Sequence, residues 1–291
     1  MAPLEDFFHR VAIVGLGLLG GSWGLALKKH GFPGQRVGCD QKGIVNRAMA
    51  LGAIDEGAED VAAAVRDADL IILATPVGAI LELLPCLKTA ALPRALVTDV
   101  GSTKRLICQR ARELFGDEPL FLGGHPLAGK ERSGLENAEA ALFENARYVL
   151  TPLVPGHTSD VRVKAFASLL ATVGARPYWS DASSHDRAVA FLSHLPQLLS
   201  SGLASLIADE SAEERLPLEL AAAGFRDVTR LAESPYAIWR DICLTNIENI
   251  QRALEALIEK LESMKIHLSD RELAREFKQA ARLREKLREL N

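Results

Sequence analysis

Three sets of residues in this 291-residue chain have types and spacings that chemistry can use. Gly15, Gly17 and Gly20 stand in G-x-G-x-x-G spacing within "VAIVGLGLLGG", after a β-branched apolar run and before a helical pattern. In such a turn the first glycine permits the tight bend, the second lets a pyrophosphate reach the backbone, and the third lets the helix pack on the strand. Leu16, Leu18 and Leu19 belong to the same turn, where unpaired N–H groups at a helix N-terminus face an anion. Asp40 closes "RVGCD" 20 residues after Gly20. A carboxylate there accepts from both ribose hydroxyls and repels a 2′-phosphate, so the expected cofactor is NAD, with Arg36 and Lys42 as the nearby basic residues that argue the other way. His125 lies in "GGHPLAGKERSG" (123–134), and an imidazole is the side chain best suited to proton transfer near neutral pH.

These residues need a scaffold that gathers them. From Val11 to about Ser180, short apolar runs alternate with helical patterns: "VAIVG", "RVGCD", "LIILA", "ALVTDV", "PLFLGG", "RYVLTP" and "ARPYWS". Runs so continuously apolar suit strands covered on both faces, so the expected fold is an α/β doubly wound, Rossmann-type domain with a parallel sheet over residues 1–181. An all-α domain is expected over 182–291, since strand signals stop after Asp181. Thr75 and Pro76, Gly101 and Ser102, and His125 all fall at carboxyl ends of predicted strands, the edge where open parallel sheets bind ligands.

Composition narrows the function. With 34 basic against 38 acidic residues and a net charge of −4, no field would gather nucleic acid or an anionic membrane. Cys39, Cys86, Cys108 and Cys243 are dispersed and form no CxxC pair, which points away from a disulfide scaffold or a zinc site and towards the cytoplasm. The apolar stretch 188–208 includes Ser193, His194, Pro196, Gln197, Ser200 and Ser201, so it reads as a buried helix rather than a membrane span. The final stretch, 265–290, reads as one amphipathic helix, on the surface or across a dimer.

"GLGLLGGS" (15–22), "DVGSTK" (99–104), "GGHPLAGKERSG", "SHLPQ" (193–197) and "AGFRDVTRLAESPYAIWRDI" (223–242) together make the chain resemble the prephenate and arogenate dehydrogenases of tyrosine biosynthesis. The resemblance implies an oxidative decarboxylation. NAD takes hydride from the ring carbon bearing the hydroxyl, the ring carboxylate leaves as carbon dioxide, and aromatisation drives the step. It implies His125 as acceptor for the ring hydroxyl proton, Ser102 as the residue that orients it, and Arg230 as the partner of the side-chain carboxylate. Read from its surroundings alone, Arg230 is an arginine on an amphipathic surface helix. Ser193, His194 and Gln197 are expected to line the cleft, and Glu131 and Asp227 to close or brace it. Trp239 is placed near the substrate or the dimer contact. His9, His30, His157, His185 and His267 have no functional reading.

Prephenate-using members often carry a second histidine where this chain has Gln197, whose amide N–H groups would suit a keto oxygen; prephenate is therefore expected over arogenate. Ala223 replaces a glycine associated with tyrosine sensitivity, and tyrosine is the feedback ligand the family suggests. A monofunctional homodimer acting on a small molecule is the expected assembly. A β-hydroxyacid dehydrogenase would need a catalytic lysine on the helix entering the second domain, and residues 181–209 contain none. A dinucleotide sensor without chemistry would lack His125, Ser102 and Arg230.

Overall fold

The computed structural model describes residues 7–116, 118–130, 132–212, 216 and 218–289. Eight strands, β1 (Arg10–Val14), β2 (Gln35–Cys39), β3 (Glu56–Gly57), β4 (Leu70–Leu73), β5 (Leu96–Asp99), β6 (Leu120–Pro126), β7 (Arg147–Pro152) and β8 (Arg176–Trp179), form one sheet in the order 3-2-1-4-5-6-7-8. Helices α1 (Leu18–Lys29), α2 (Lys42–Leu51), α3 (Val61–Val65), α4 (Val77–Ala90), α5 (Arg105–Phe115) and α6 (Val161–Thr172) connect them. The order reverses between β1 and β4, which opens a crevice at their carboxyl ends.

The period of a strand distributes its side chains between two cores. Val11 and Ile13 of β1 join a core with Trp23, Tyr148 and Phe166, while Ala12 and Val14 join another with Ile71, Ile80 and Ile107. In the first core the Trp23 ring sits 5.1 Å from Phe143 and 5.9 Å from both Tyr148 and Phe166. This aromatic group fixes α1, and with it the glycine turn, against the sheet.

The sheet departs from the all-parallel expectation at one pair. β7 runs antiparallel to β6, with His125 opposite Val149. The connection over 127–146 contains only a single 3₁₀ turn, Leu135–Asn137, and lacks the crossover helix that a parallel return requires.

Beyond β8 the chain is helical: α7 (Ala182–Val189), a π turn (Ala190–His194), α8 (Leu195–Ala212), α9 (Ala223–Thr229) and α10 (Tyr236–Thr245). The buried helix expected over 188–208 is corrected. Val189, Ala190, His194, Gln197 and Ser200 point inward, but Leu192 is 81% exposed, and Phe191, Leu199 and Leu206 are exposed with it. The continuous helix Ala182–Ala212 is long and apolar enough to cross a membrane by length and composition alone. The chain separates into two compact units, Met1–Asn246 and Ile247–Asn291. The second holds α11 (Ile247–Ile266) and α12 (Arg271–Glu289). The single helix expected over 265–290 starts instead at Arg271, because the Asp270 carboxylate accepts the Glu272 N–H at 2.8 Å and caps a new helix.

The strand pair β5–β6 sets the position of His125. A Cβ on Gly124 would lie 2.4 Å from the Asp99 carbonyl oxygen. Gly124→Ala should therefore separate the two strands and cost about 1–3 kcal/mol, as overpacking does. Chemical denaturation of the variant measures this, and an unchanged midpoint contradicts the reading.

Candidate active site

The crevice begins at the glycine turn. Gly15 has φ +91°, and a Cβ on Gly20 would sit 1.8 Å from the Gly15 carbonyl oxygen, so strand and helix meet there without room for a side chain. A Cβ on Gly17, in contrast, would meet nothing within 4 Å, and no side chain caps the N-terminus of α1. The open backbone suits an anionic group. Asp40, at the tip of β2, accepts the Leu16 N–H at 2.7 Å through one carboxylate oxygen and the Gln41 N–H at 2.6 Å through the other. Its carboxylate is thus fixed beside the turn, on a groove shared with Lys42 and Asn46.

Arg36 is removed from this edge. It is buried and donates to Asp55 at 2.5 Å and to the carbonyls of Gly24 and Gly52 at 3.0 Å. The crevice widens into a cleft of about 410 Å³ lined by Leu18, Leu19, Thr75, Pro76, Gly101 and Ser102, with Ile238 and Ile242 of α10 also on its wall. The Thr75 hydroxyl is buried there without a hydrogen-bond partner, a polar group that a ligand would satisfy. Open glycine backbone, a ribose-facing carboxylate and an orphaned hydroxyl along one edge fit NAD.

A buried ion pair underlies the next part of the site. Lys104 Nζ donates to Asp99 Oδ2 and to the Gly124 carbonyl at 2.7 Å, while the second Asp99 oxygen accepts the Gly124 N–H at 3.1 Å. Asp99 Oδ2 also takes the Gly101 N–H at 2.9 Å. The pair joins the end of β5, the 101–104 turn and the end of β6. One residue further on, His125 Nδ1 lies 2.9 Å from His185 Nε2, and His185 Nδ1 lies 2.8 Å from Asp186 Oδ1. Asp186 also accepts the N–H groups of Lys104 at 2.7 Å and Arg105 at 2.9 Å, at the start of α5.

Burial, reinforced by His185, Lys104 and His194, holds the His125 imidazole well below its usual range, so it is neutral at physiological pH. His194 is buried, and burial pulls it down to about 4 despite the opposing charge of Asp186. Its ring stands edge-on to Trp239 at 5.8 Å, and its Nδ1 lies 3.3 Å from Asn246 Nδ2, which also donates to the Asp186 carbonyl at 2.8 Å. Helix α10 is tied to the nucleotide half by Gly78 N–H donating to Asp241 at 2.9 Å and by a Thr103–Thr245 hydroxyl pair at 2.7 Å.

Arg230, Lys130, Arg132 and Glu233 line a second recess, and Lys130 and Arg132 also line the main cleft, so the two are continuous. A cationic end of this kind suits a carboxylate, and a guanidinium can bind it bidentately. Other expected residues are placed differently. Ser102 lies on the cleft wall, and no hydrogen bond joins it to His125; the partner of His125 is His185. Gln197 is buried, and both its amide hydrogens are engaged, by the Leu231 carbonyl at 2.8 Å and the Ser201 hydroxyl at 3.2 Å. That removes the donor on which the expected preference for prephenate rested. Ser193 and Asp227 are exposed and line neither recess, and Glu131 lies outside the described residues. His185 and Asp186, which have no functional reading in the sequence, adjoin His125 directly; their only signal is an adjacent His-Asp pair opening the first helix after the sheet.

Comparison with known proteins follows the same division of the chain. The family model described as "Prephenate dehydrogenase, nucleotide-binding domain" matches residues 23–179, and "Prephenate dehydrogenase, dimerization domain" matches residues 181–288. The prephenate dehydrogenase of Lactococcus lactis is 38% identical over 263 residues, covering 90% of this chain and 70% of that protein. The crystal structure of prephenate dehydrogenase from A. aeolicus, in complex with hydroxyphenyl propionate and NAD+, has a TM-score of 0.87 at 31% identity and covers 96% of this chain and 98% of its own. Synechocystis arogenate dehydrogenase is also 31% identical, with a TM-score of 0.80 and coverage of 96% and 99%. The doubly wound sheet, the glycine turn with Asp40, and a neutral histidine beside the cleft thus occur in a chain that belongs to the prephenate dehydrogenase family.

Proposed function

We propose that this protein oxidises and decarboxylates prephenate to 4-hydroxyphenylpyruvate with NAD, residues 1–181 holding the cofactor and residues 182–291 supplying substrate and dimer surfaces. The observation that carries the proposal is His125, a neutral imidazole at the carboxyl edge of the sheet, next to a cleft whose far end is cationic. Bound NAD supplies the hydride acceptor. His125 takes the ring hydroxyl proton as the ring carbon is oxidised and returns it to the phenolate oxygen once carbon dioxide has left. Arg230 holds the side-chain carboxylate, while Leu18, Leu19, Ile238 and Ile242 keep water from the reacting carbon.

Arogenate is the second reading, and the placement of Gln197 favours keeping it: with both amide hydrogens engaged, no donor is reserved for a keto oxygen. Steady-state assays with prephenate and arogenate, each with NAD, test the proposal, and turnover of neither substrate overturns it. Tyrosine carries the same phenol and carboxylate and is the feedback ligand to add to those assays. Four free cysteines suit a reducing cytoplasm. We also propose a homodimer: Leu192, Leu220, Tyr236 and Leu244 are 66–81% exposed, more apolar surface than an isolated protomer comfortably shows water.

Cofactor choice gives the first expected outcome. Gly17→Ala should leave the melting temperature unchanged and weaken NAD binding at least about tenfold, or ~1.4 kcal/mol. Asp40→Ser should relax the preference for NAD over NADP, and a wild-type enzyme indifferent to the two contradicts the assignment. The second concerns the base. His125→Asn should lower kcat by roughly 10²–10⁴-fold, whereas Arg230→Gln should chiefly raise KM. Because the His125 pKa is depressed, the neutral base persists as pH falls through 6.5, and kcat should decline only at more acidic pH. An acid limb centred at or above 6.5 is incompatible with that. Sedimentation equilibrium checks the third: the mass should be twice 31.5 kDa, and a monomer at assay concentrations rules the dimer out.

A further inference from the structure

We infer that His185, held by Asp186, is a positioning residue that fixes His125 in the tautomer whose Nε2 is the free base. The inference rests on the dehydrogenase reading above for its function, but not for its geometry.

The argument runs inward from the charge. Asp186 accepts the N–H groups of Lys104 and Arg105 and touches His185 Nδ1 at 2.8 Å, so it acts as a carboxylate acceptor towards all three. His185 Nδ1 therefore carries a hydrogen. A neutral imidazole has one donor and one acceptor, which leaves His185 Nε2 as an acceptor. It faces His125 Nδ1 at 2.9 Å, and that nitrogen must be the donor. In a neutral His125 the lone pair is then on Nε2, which makes no hydrogen bond to any described residue and is not among the buried unpartnered atoms. The rings cross at 79°, with centroids 5.1 Å apart, which sets the direction of the His125 ring plane as well as its tautomer.

The competing arrangement has His185 doubly protonated, with Nε2 donating to His125; His125 Nε2 would then carry the hydrogen and have no lone pair for the substrate. The surroundings disfavour it. The charged and titratable groups around His125 are the Lys104–Asp99 pair from the turn and β5, His194 from the π turn, and His185 with Asp186 from α7. Asp186 already receives two backbone N–H groups at the N-terminus of α5, which partly neutralise it. His185 is only 3% exposed, so a charge there would be buried.

The test reads the tautomer and the rate separately. In 15N–1H long-range correlation spectra of the ligand-free, 15N-histidine-labelled protein at neutral pH, His125 should be the Nδ1–H tautomer. In His185→Phe both tautomers should appear, and kcat should fall about 10–100-fold, part of the 10²–10⁴ that a positioned base contributes, with KM within about threefold. His185→Gln can accept through Oε1 and donate to Asp186, and should recover most of that loss. An Nε2–H tautomer in the wild type, an unchanged kcat in His185→Phe, or a His185→Gln enzyme as slow as His185→Phe overturns the inference. Should neither prephenate nor arogenate be turned over, the proposed function fails while the spectrum still decides the tautomer.

Discussion

The buried contact between Lys104 and Asp99 holds the site together. Both side chains are fully buried, so neither charge can be left without the other. Removing one partner of such a pair typically costs about 3–5 kcal/mol, because the survivor stays desolvated and unpaired. The pair spends its remaining hydrogen-bonding capacity on the backbone of Gly101 and Gly124. Those two residues begin the turn that carries Ser102 and immediately precede His125. A charge pair that adds little net stability thus imposes one arrangement on two loops that would otherwise be joined only by strand pairing.

Asp186 extends this arrangement into the helical segment. It lies on the first turns after the sheet, yet its carboxylate satisfies the first N–H groups of α5, which belongs to the nucleotide-binding half. Asn246 reaches back from the end of α10 to the Asp186 carbonyl and to His194. Through these few polar contacts the sheet edge, the α5 N-terminus and two later helices share one buried network. Such networks specify a structure only when every member is paired.

Much of the nucleotide half was legible in the chain because its signals are local. The glycine spacing and the acidic residue after the second strand depend on near neighbours, and the period-two split of β1 between two cores follows from strand geometry. The antiparallel β7 was not legible, since "RYVLTP" is equally apolar in either direction and its orientation is decided by what the preceding connection lacks. The face of α8 was misread for a related reason: apolar composition does not distinguish a residue buried within a protomer from one exposed on it. His185 escaped notice because its role depends on Asp186 and His125 meeting across 60 residues of sequence. Gln197 was legible as a cleft residue by resemblance, but its partner, the Leu231 carbonyl, lies 34 residues away on a turn that leaves no mark in the pattern.

The π turn at Ala190–His194 has a consequence for how this chain can vary in length. A π turn holds one more residue than an α-helical turn spanning the same rise, and here it brings His194 inward while leaving Leu192 outside. Deleting any one residue within it would restore a regular helix and rotate everything after it by about 100° relative to α7. Gln197 and Ser200 would turn out of the interior, and exposed leucines would turn in. An insertion or deletion here is thus a change of helix face, not of loop length, so this segment should be far less tolerant of length variation than the loops on either side.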